Sequence, residues 1–263
     1  MKHVWQIGLF SIRDVSRNRW GLLYTAFFAA VTIGLFQFQV HGEKVAISLI
    51  GLCLVLIPLV SVLFGTMYFY NSREFIELIL TQPVGRRTVY LGMYLGLATA
   101  LVIGFVIGVG LPFVIAGWGD SAQLISLCLL LVIGSFLTLI FLALSFLLAA
   151  MFDDRGKGLA GSLAVWLFTA LLYDGLVLLA ATTFSEYPLE TPLLILSLAN
   201  PIDLARVTLL VQSDMAALMG YTGAVFNRFF GTSMGLSVAF GSLLLWTATP
   251  LALGLWRFRR KDF

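Results

Sequence analysis

Read for polarity alone, the chain alternates six long apolar runs with short charged ones. Trp20 to Val40, Val45 to Ser72, Thr88 to Gly119 and Ser121 to Phe152 carry no charged residue. Leu159 to Ser185 is interrupted by Asp174 alone, and Phe229 to Trp256 closes the series. A bilayer core of about 30 Å is crossed by about 20 apolar residues in helical form, so each run is long enough to span it. A membrane barrel would show alternating segments of about ten residues, and these runs do not alternate. The pattern predicts an all-α integral membrane protein of six transmembrane helices. Pro58, Pro112 and Pro250 fall inside runs, where they are expected to kink helices lying against protein neighbours. Gly92 with Gly96, and Gly104 with Gly108, place small residues four apart on the third run. That spacing lets helix backbones approach closely, and we read it as packing within the subunit.

Charge then orients the helices. With the N-terminus inside, the inner loops hold Lys2, Arg13, Arg17, Arg19, Arg73, Arg86, Arg87, Arg155, Lys157, Arg257, Arg259, Arg260 and Lys261. The outer side keeps only Lys44, Arg206 and Arg228. Cytoplasmic loops carry the excess of Lys and Arg, so both termini are predicted to be cytoplasmic. Composition agrees with a membrane class: 60% of residues are hydrophobic, 11% are charged and the mean hydropathy is +1.00, too few charges to cover a soluble domain of this length. The first run follows Arg13, Arg17 and Arg19 and has no small-residue cleavage site after it, so it is expected to stay in the mature protein. No repeat and no linker rich in Pro, Ser or charge divides the chain, which predicts one domain over residues 1–263.

Three stretches lie outside the runs. Residues 1–19 are amphipathic: on a helix, Val4, Trp5, Leu9, Ile12 and Val15 share one face and Lys2, Gln6, Arg13 and Arg17 the other. Such a helix suits the cytoplasmic interface. Residues 71–88 join the second and third runs. There Glu74 to Leu80 reads as a short amphipathic helix, ended by Pro83 and followed by a turn at Gly85. Two readings stand: a rigid helix that docks in a groove on a cytoplasmic partner, or an ordinary loop before re-entry at Arg86 and Arg87. Residues 186–228 form the longest stretch, and it is apolar. Asn200 and Pro201 give an N-cap with Pro at the first helical position, and Asp203 adds an acid to the first turn. Leu204, Val207, Leu210 and Val211 follow, and Ser213 and Asp214 open a second short helix that stops near Gly220. Apolar helices on the outer side lie in the outer leaflet, plug the bundle or bind another protein; we expect plugging combined with binding.

Catalytic chemistry is sparse. His3 and His41 fall on opposite sides of the membrane and cannot share a site. HExxH and GxSxG are absent, and Gly156-Lys157-Gly158 lacks the earlier glycine and the Ser/Thr of a phosphate loop. Cys53 and Cys128 sit in apolar runs without metal spacing and read as buried small hydrophobes. Asp153 and Asp154, beside Arg155 and Lys157, read as solvated loop charge. Asp174 is the one ionisable group deep in a span, where charge is costly; it lines a polar pathway, pairs across a dimer or accepts hydrogen bonds from a neighbouring helix. Met215 and Met219 read as packing or docking residues, since two thioethers alone make a poor copper site.

Together these segments resemble the ABC-2 type permeases, the membrane subunits of one class of ATP-binding-cassette transporters, over nearly the whole chain. The likeness rests on the lead-in RDVSRNRW (Arg13 to Trp20), the Glu-bearing helix followed by TQPVGRR, and six spans with a long outer segment before the last. Within that class, NPIDLARV (Asn200 to Val207) continuing through SDMAALMGYTGAVFNRFFG is similar to the permeases of nitrous-oxide-reductase maturation transporters. The resemblance implies a type V exporter-like fold in a bacterial inner membrane, in contact with membrane lipid. It implies a homodimer bound to two cytoplasmic ABC ATPase subunits that carry the ATP and Mg2+, with no cofactor, metal or catalytic residue on this chain. The coupling helix would meet the ATPase through Arg73, Glu74, Phe75, Glu77, Leu78, Leu80 and Pro83. A periplasmic copper-related accessory protein would dock on the outer segment, at Asn200, Pro201, Asp203, Arg206, Asp214, Met215 and Met219. The implied task is export of a sulfur species, or mechanical work on the periplasmic partner, for assembling the copper–sulfur centre of the reductase. Export of another substrate is the alternative within the class. A membrane enzyme would need a nucleophile with a base in reach, and the sequence offers no such pair. A proton-driven carrier would need inverted repeats and broken helices around polar midplane groups, for which Asp174 alone is available.

Overall fold

The structure, a computed structural model, describes residues 19–38, 42–81, 84–116, 121–183, 190–212 and 221–261. The N-terminal amphipathic segment, Pro83, Asp214, Met215 and Met219 lie outside the described residues. Among the described residues every regular element is a helix, and six helical stretches are long and apolar enough to cross a membrane. They are α1 (Arg19–Phe38), α2 (Gly42–Asn71), α4 (Arg86–Ala116), α5 (Ser121–Met151), a composite fifth span and α11 (Ser233–Arg260). The fifth span joins α6 (Arg155–Leu167), a π turn (Phe168–Leu172) and α7 (Tyr173–Thr183). The short α3 (Arg73–Leu80) connects α2 to α4, while α8 (Glu190–Ala199), α9 (Pro201–Gln212) and α10 (Tyr221–Phe230) precede the last span. That last span runs past Trp256, where the apolar run ends, to Arg260. Long basic side chains permit the extension because their stems cover apolar surface while their heads reach water.

Lipid tails are as apolar as leucine, so packing rather than hydrophobicity holds the helices together. The centre is α5, packed chiefly against α2 and α11, while α1 rests on α4 and α6 on α2. Small residues mark each close approach. A Cβ on Gly65 of α2 would sit 2.0 Å from Ser145 Oγ of α5, and one on Gly108 of α4 would sit 2.8 Å from the Thr25 carbonyl of α1. The third-run glycines Gly104 and Gly108 therefore pack within the chain, as their spacing predicts. Thr66 Oγ1 of α2 donates to Ser162 Oγ of α6 at 2.9 Å. Near one end, Phe69, Tyr90, Phe146 and Phe258 join α2, α4, α5 and α11 in an aromatic cluster with ring centroids 5.2 to 6.0 Å apart. Gly254 makes room there, since a Cβ would meet the Tyr90 hydroxyl at 2.1 Å. Cys53 is buried, but Cys128 is exposed on α5: its place in an apolar run reflects a surface suited to lipid, not a core position.

The segment before the last span enters the bundle, as the expected plugging requires, but it does so through a sharp break that the sequence reading did not contain. α8 and α9 are together apolar enough to span but bend by 115° at Asn200, as a broken span or re-entrant loop does. α9 is inserted among α5, α2 and α11, with Ile202, Leu204, Ala205, Val207, Leu209 and Val211 buried. A broken helix at membrane depth must find partners for the backbone groups it frees. Here side chains supply them. Tyr173 Oη donates to the Leu196 carbonyl at 2.7 Å, and Trp246 Nε1 to the Leu198 carbonyl at 3.1 Å. Asn200 caps the helix after the break and ties it to the fifth span. Its Oδ1 accepts from Ile202 N at 3.0 Å, and its Nδ2 donates to the Thr169 carbonyl in the π turn at 2.8 Å.

Candidate functional site

The end of the bundle that carries α3 gathers most of the basic residues. Glu74 stands in the first turn of α3, where it faces the positive end of the helix dipole. Ile76 is fully buried, Phe75, Ile79 and Leu80 are half-buried, and Glu74, Glu77 and Leu78 face outward. Leu78 is 63% exposed on a helix whose other apolar side is already packed. The Thr81 hydroxyl closes the last turn by donating to the Leu78 carbonyl at 2.7 Å.

Beneath α3 a polar junction ties the helix ends together. Arg73 donates to the Asp153 carbonyl at 3.1 Å and pairs with its carboxylate at 3.4 Å. Lys261 Nζ pairs with the same carboxylate at 2.9 Å and also donates to the carbonyls of Ala150 and Phe152, each at 3.2 Å. These are carbonyls at the C-terminal end of α5, which a cation suits both by hydrogen bonding and by the dipole. The Lys261 hydrogen bond, then its charge, holds the Asp153 carboxyl below the ordinary carboxylate range. Arg86, the first residue of α4, donates to the Arg259 carbonyl at 3.2 Å and to the Lys261 carbonyl. Tyr70 Oη donates to the Phe152 carbonyl at 2.9 Å, and Asp154 caps α6 by accepting from Lys157 N at 2.8 Å. One small network thus links α2, α3, α4, α5, α6 and α11.

A second charged group lies toward the other end. Asp174 is 19 residues beyond Arg155, which is roughly 28 Å along the helix, so it approaches the far boundary of the span. Its carboxylate pairs with Arg206 of α9, which also lies 3.8 Å from Asp203 one turn earlier. Asp174 and Arg206 keep about a third of their side-chain surface exposed, and Asp203 less. The pair therefore fixes α9 to the fifth span. Among the described residues no group of three His, Cys, Asp or Glu side chains is placed to hold a metal ion.

Comparison with known proteins decides the family. The model of the ABC-2 family transporter protein matches residues 12–263. The chain belongs to the ABC-2 transporter family. This ABC-2 permease is 31% identical to the probable ABC transporter permease protein NosY of Pseudomonas aeruginosa, over 99% of both chains. It is 28% identical to the protein of the same name from Stutzerimonas stutzeri, again over 99% of both. It is accordingly a membrane subunit of a transporter, similar to NosY.

The geometry sorts the residues that the permease resemblance singles out. Arg73, Glu74, Phe75, Glu77, Leu78 and Leu80 fall on one short helix, with Arg73 turned to the junction and Glu74, Glu77 and Leu78 turned away from the bundle. Asn200 and Pro201 are buried at the break between α8 and α9. Asp203 and Arg206 are gathered with Asp174 rather than presented together to a partner. Asp153 and Lys261 escaped the sequence reading: Asp153 is solvent-exposed as expected, yet it carries two ion pairs. The one signal for them is that the loop acid and the terminal lysine fall on the same side in the span count.

Proposed function

We propose that the basic end faces the cytoplasm and that α3 is the coupling helix through which a separate ATP-hydrolysing subunit drives this permease. The observation that carries the reading is the division of α3 into a packed face at Ile76 and an outward face of Glu74, Glu77 and Leu78, seated on the Arg73–Asp153–Lys261 network. An apolar residue flanked by acids on a short projecting helix suits a groove in a partner. Support for the orientation comes from the clustering of Arg and Lys at that end. ATP and Mg2+ belong to the partner in this reading, and two copies of the chain form the membrane unit.

Following its likeness to NosY and the NPIDLARV stretch, we further assign the transporter to assembly of the copper–sulfur centre of nitrous oxide reductase. It would do so by exporting a sulfur species or by mechanical work on a periplasmic accessory protein. In this reading the accessory protein docks on the outer segment that carries Asp203, Arg206, Asp214, Met215 and Met219, with Asn200 and Pro201 buried beneath it. Purification of the complex from its host tests the coupling assignment. The ATPase should co-purify with the unaltered chain and be lost from the double variant Glu77→Lys, Leu78→Asp. Retention of the ATPase by that variant would refute α3 as the coupling helix. Recovery of a periplasmic partner supports the maturation role, and an ATPase alone points to export of another substrate.

A further inference from the structure

The last turn and C-cap of α11 carry four cations within five residues, Arg257, Arg259, Arg260 and Lys261. One of them is engaged inward: Lys261 is 9% exposed and bound to Asp153. Arg257 is exposed, though near enough to act on the same carboxylate. Arg259 and Arg260 point elsewhere. Together with Trp256 they line a cleft of about 270 Å³, and among the described residues no carboxylate pairs with either. The Arg260 guanidinium lies 4.2 Å from the centre of the Trp256 ring, a cation–π arrangement that holds the charge in place without neutralising it.

We propose that this cleft binds the phosphodiester headgroup of an anionic phospholipid. Two guanidinium groups offer paired donors to phosphate oxygens, and helix-end carbonyls that would repel a phosphate are taken up instead. Arg86 donates to the carbonyls of both Arg259 and Lys261. The position singles out a lipid over a free anion. The cleft closes a span that ends at Arg260, and below it Leu245, Thr249, Leu253 and Trp256 recur at helical spacing, all exposed. That stripe continues the cleft into the membrane as a track for an acyl chain, and an indole at this level suits the boundary between headgroups and tails.

The test titrates the full chain in detergent micelles with phosphatidylglycerol, phosphatidylcholine of matched acyl chains, or inorganic phosphate, and reads bound lipid by native mass spectrometry. Phosphatidylglycerol should be retained in preference to phosphatidylcholine. The double variant Arg259→Gln, Arg260→Gln should bind it about thirty-fold more weakly, taking about 1 kcal/mol for each surface cation. Arg87→Gln removes an exposed cation of the same end outside the cleft and should leave binding unchanged. Equal retention of the two lipids, an unaffected double variant, or an equal loss in Arg87→Gln would overturn the proposal. So would competition by inorganic phosphate at concentrations equal to the lipid, which would make the cleft an anion site and not a lipid site.

Discussion

At the scale of single residues, the charged group formed by Asp174, Arg206 and Asp203 makes the sharpest statement. One arginine faces two carboxylates, so the two ways of breaking the group are unequal. Asp174→Asn leaves Arg206 beside Asp203, with charge still matched. Arg206→Gln leaves two carboxylates next to each other in apolar surroundings. Breaking a fully buried pair costs about 3–5 kcal/mol; with a third of each side chain exposed, we expect about 1–3 kcal/mol for Arg206→Gln. Asp174→Asn should cost less than about 1 kcal/mol. Thermal unfolding in detergent gives the order directly, and an Asp174→Asn variant as unstable as Arg206→Gln would contradict it. Asp174 stood out in the sequence as the one ionisable group deep in a span, where charge is costly without a partner, and Arg206 as one of the few basic residues of the outer side. Their pairing did not, because it joins positions 32 residues apart on different helices, which no local pattern reports.

At the scale of elements, each long run was legible because a helix crossing lipid must be apolar along its whole length. The ends were less so: hydropathy stops at Trp256, whereas the helix continues while basic side chains can reach water. Asn200 and Pro201 were readable as a helix start because capping is local chemistry. The 115° bend that precedes them was not, since it depends on Tyr173, Trp246 and Asn200 meeting carbonyls far away in the chain. The α1–α4 contact lends itself to measurement. Gly108→Ala would place a methyl group 2.8 Å from the Thr25 carbonyl and 2.9 Å from Phe28 Cβ. Neither neighbour is the tip of a flexible side chain, so overpacking of about 1–3 kcal/mol follows. Gly34→Ala on α1 meets nothing within 4 Å and should be neutral or slightly stabilising, because alanine is the better helix former. Equal unfolding temperatures for the two variants in detergent would remove the steric account of this seam.

At the scale of the whole molecule, burial divides the six spans into two sets. In the spans built on α2 and α5, 56% of the window is buried, against 6% in the fifth span and 17% in α1. The chain is thus an inner bundle of α2, α4 and α5 with more exposed spans around it. A compact polar network sits at the end where α3 projects. In the proposed reading, force on α3 would pass through Arg73 to the α5–α6 loop and on through Lys261 to α11. The central claim, that an ATPase subunit seats on the outward face of α3, is tested most directly by site-specific cross-linking in the assembled transporter. With Cys53 and Cys128 replaced by alanine, Leu78→Cys should cross-link to the ATPase subunit through a short thiol-to-amine reagent. Leu245→Cys, equally exposed but within the last span, should not. Cross-linking at Leu78 alone is the result the account predicts; no product at Leu78, or equal yields at the two positions, would contradict it.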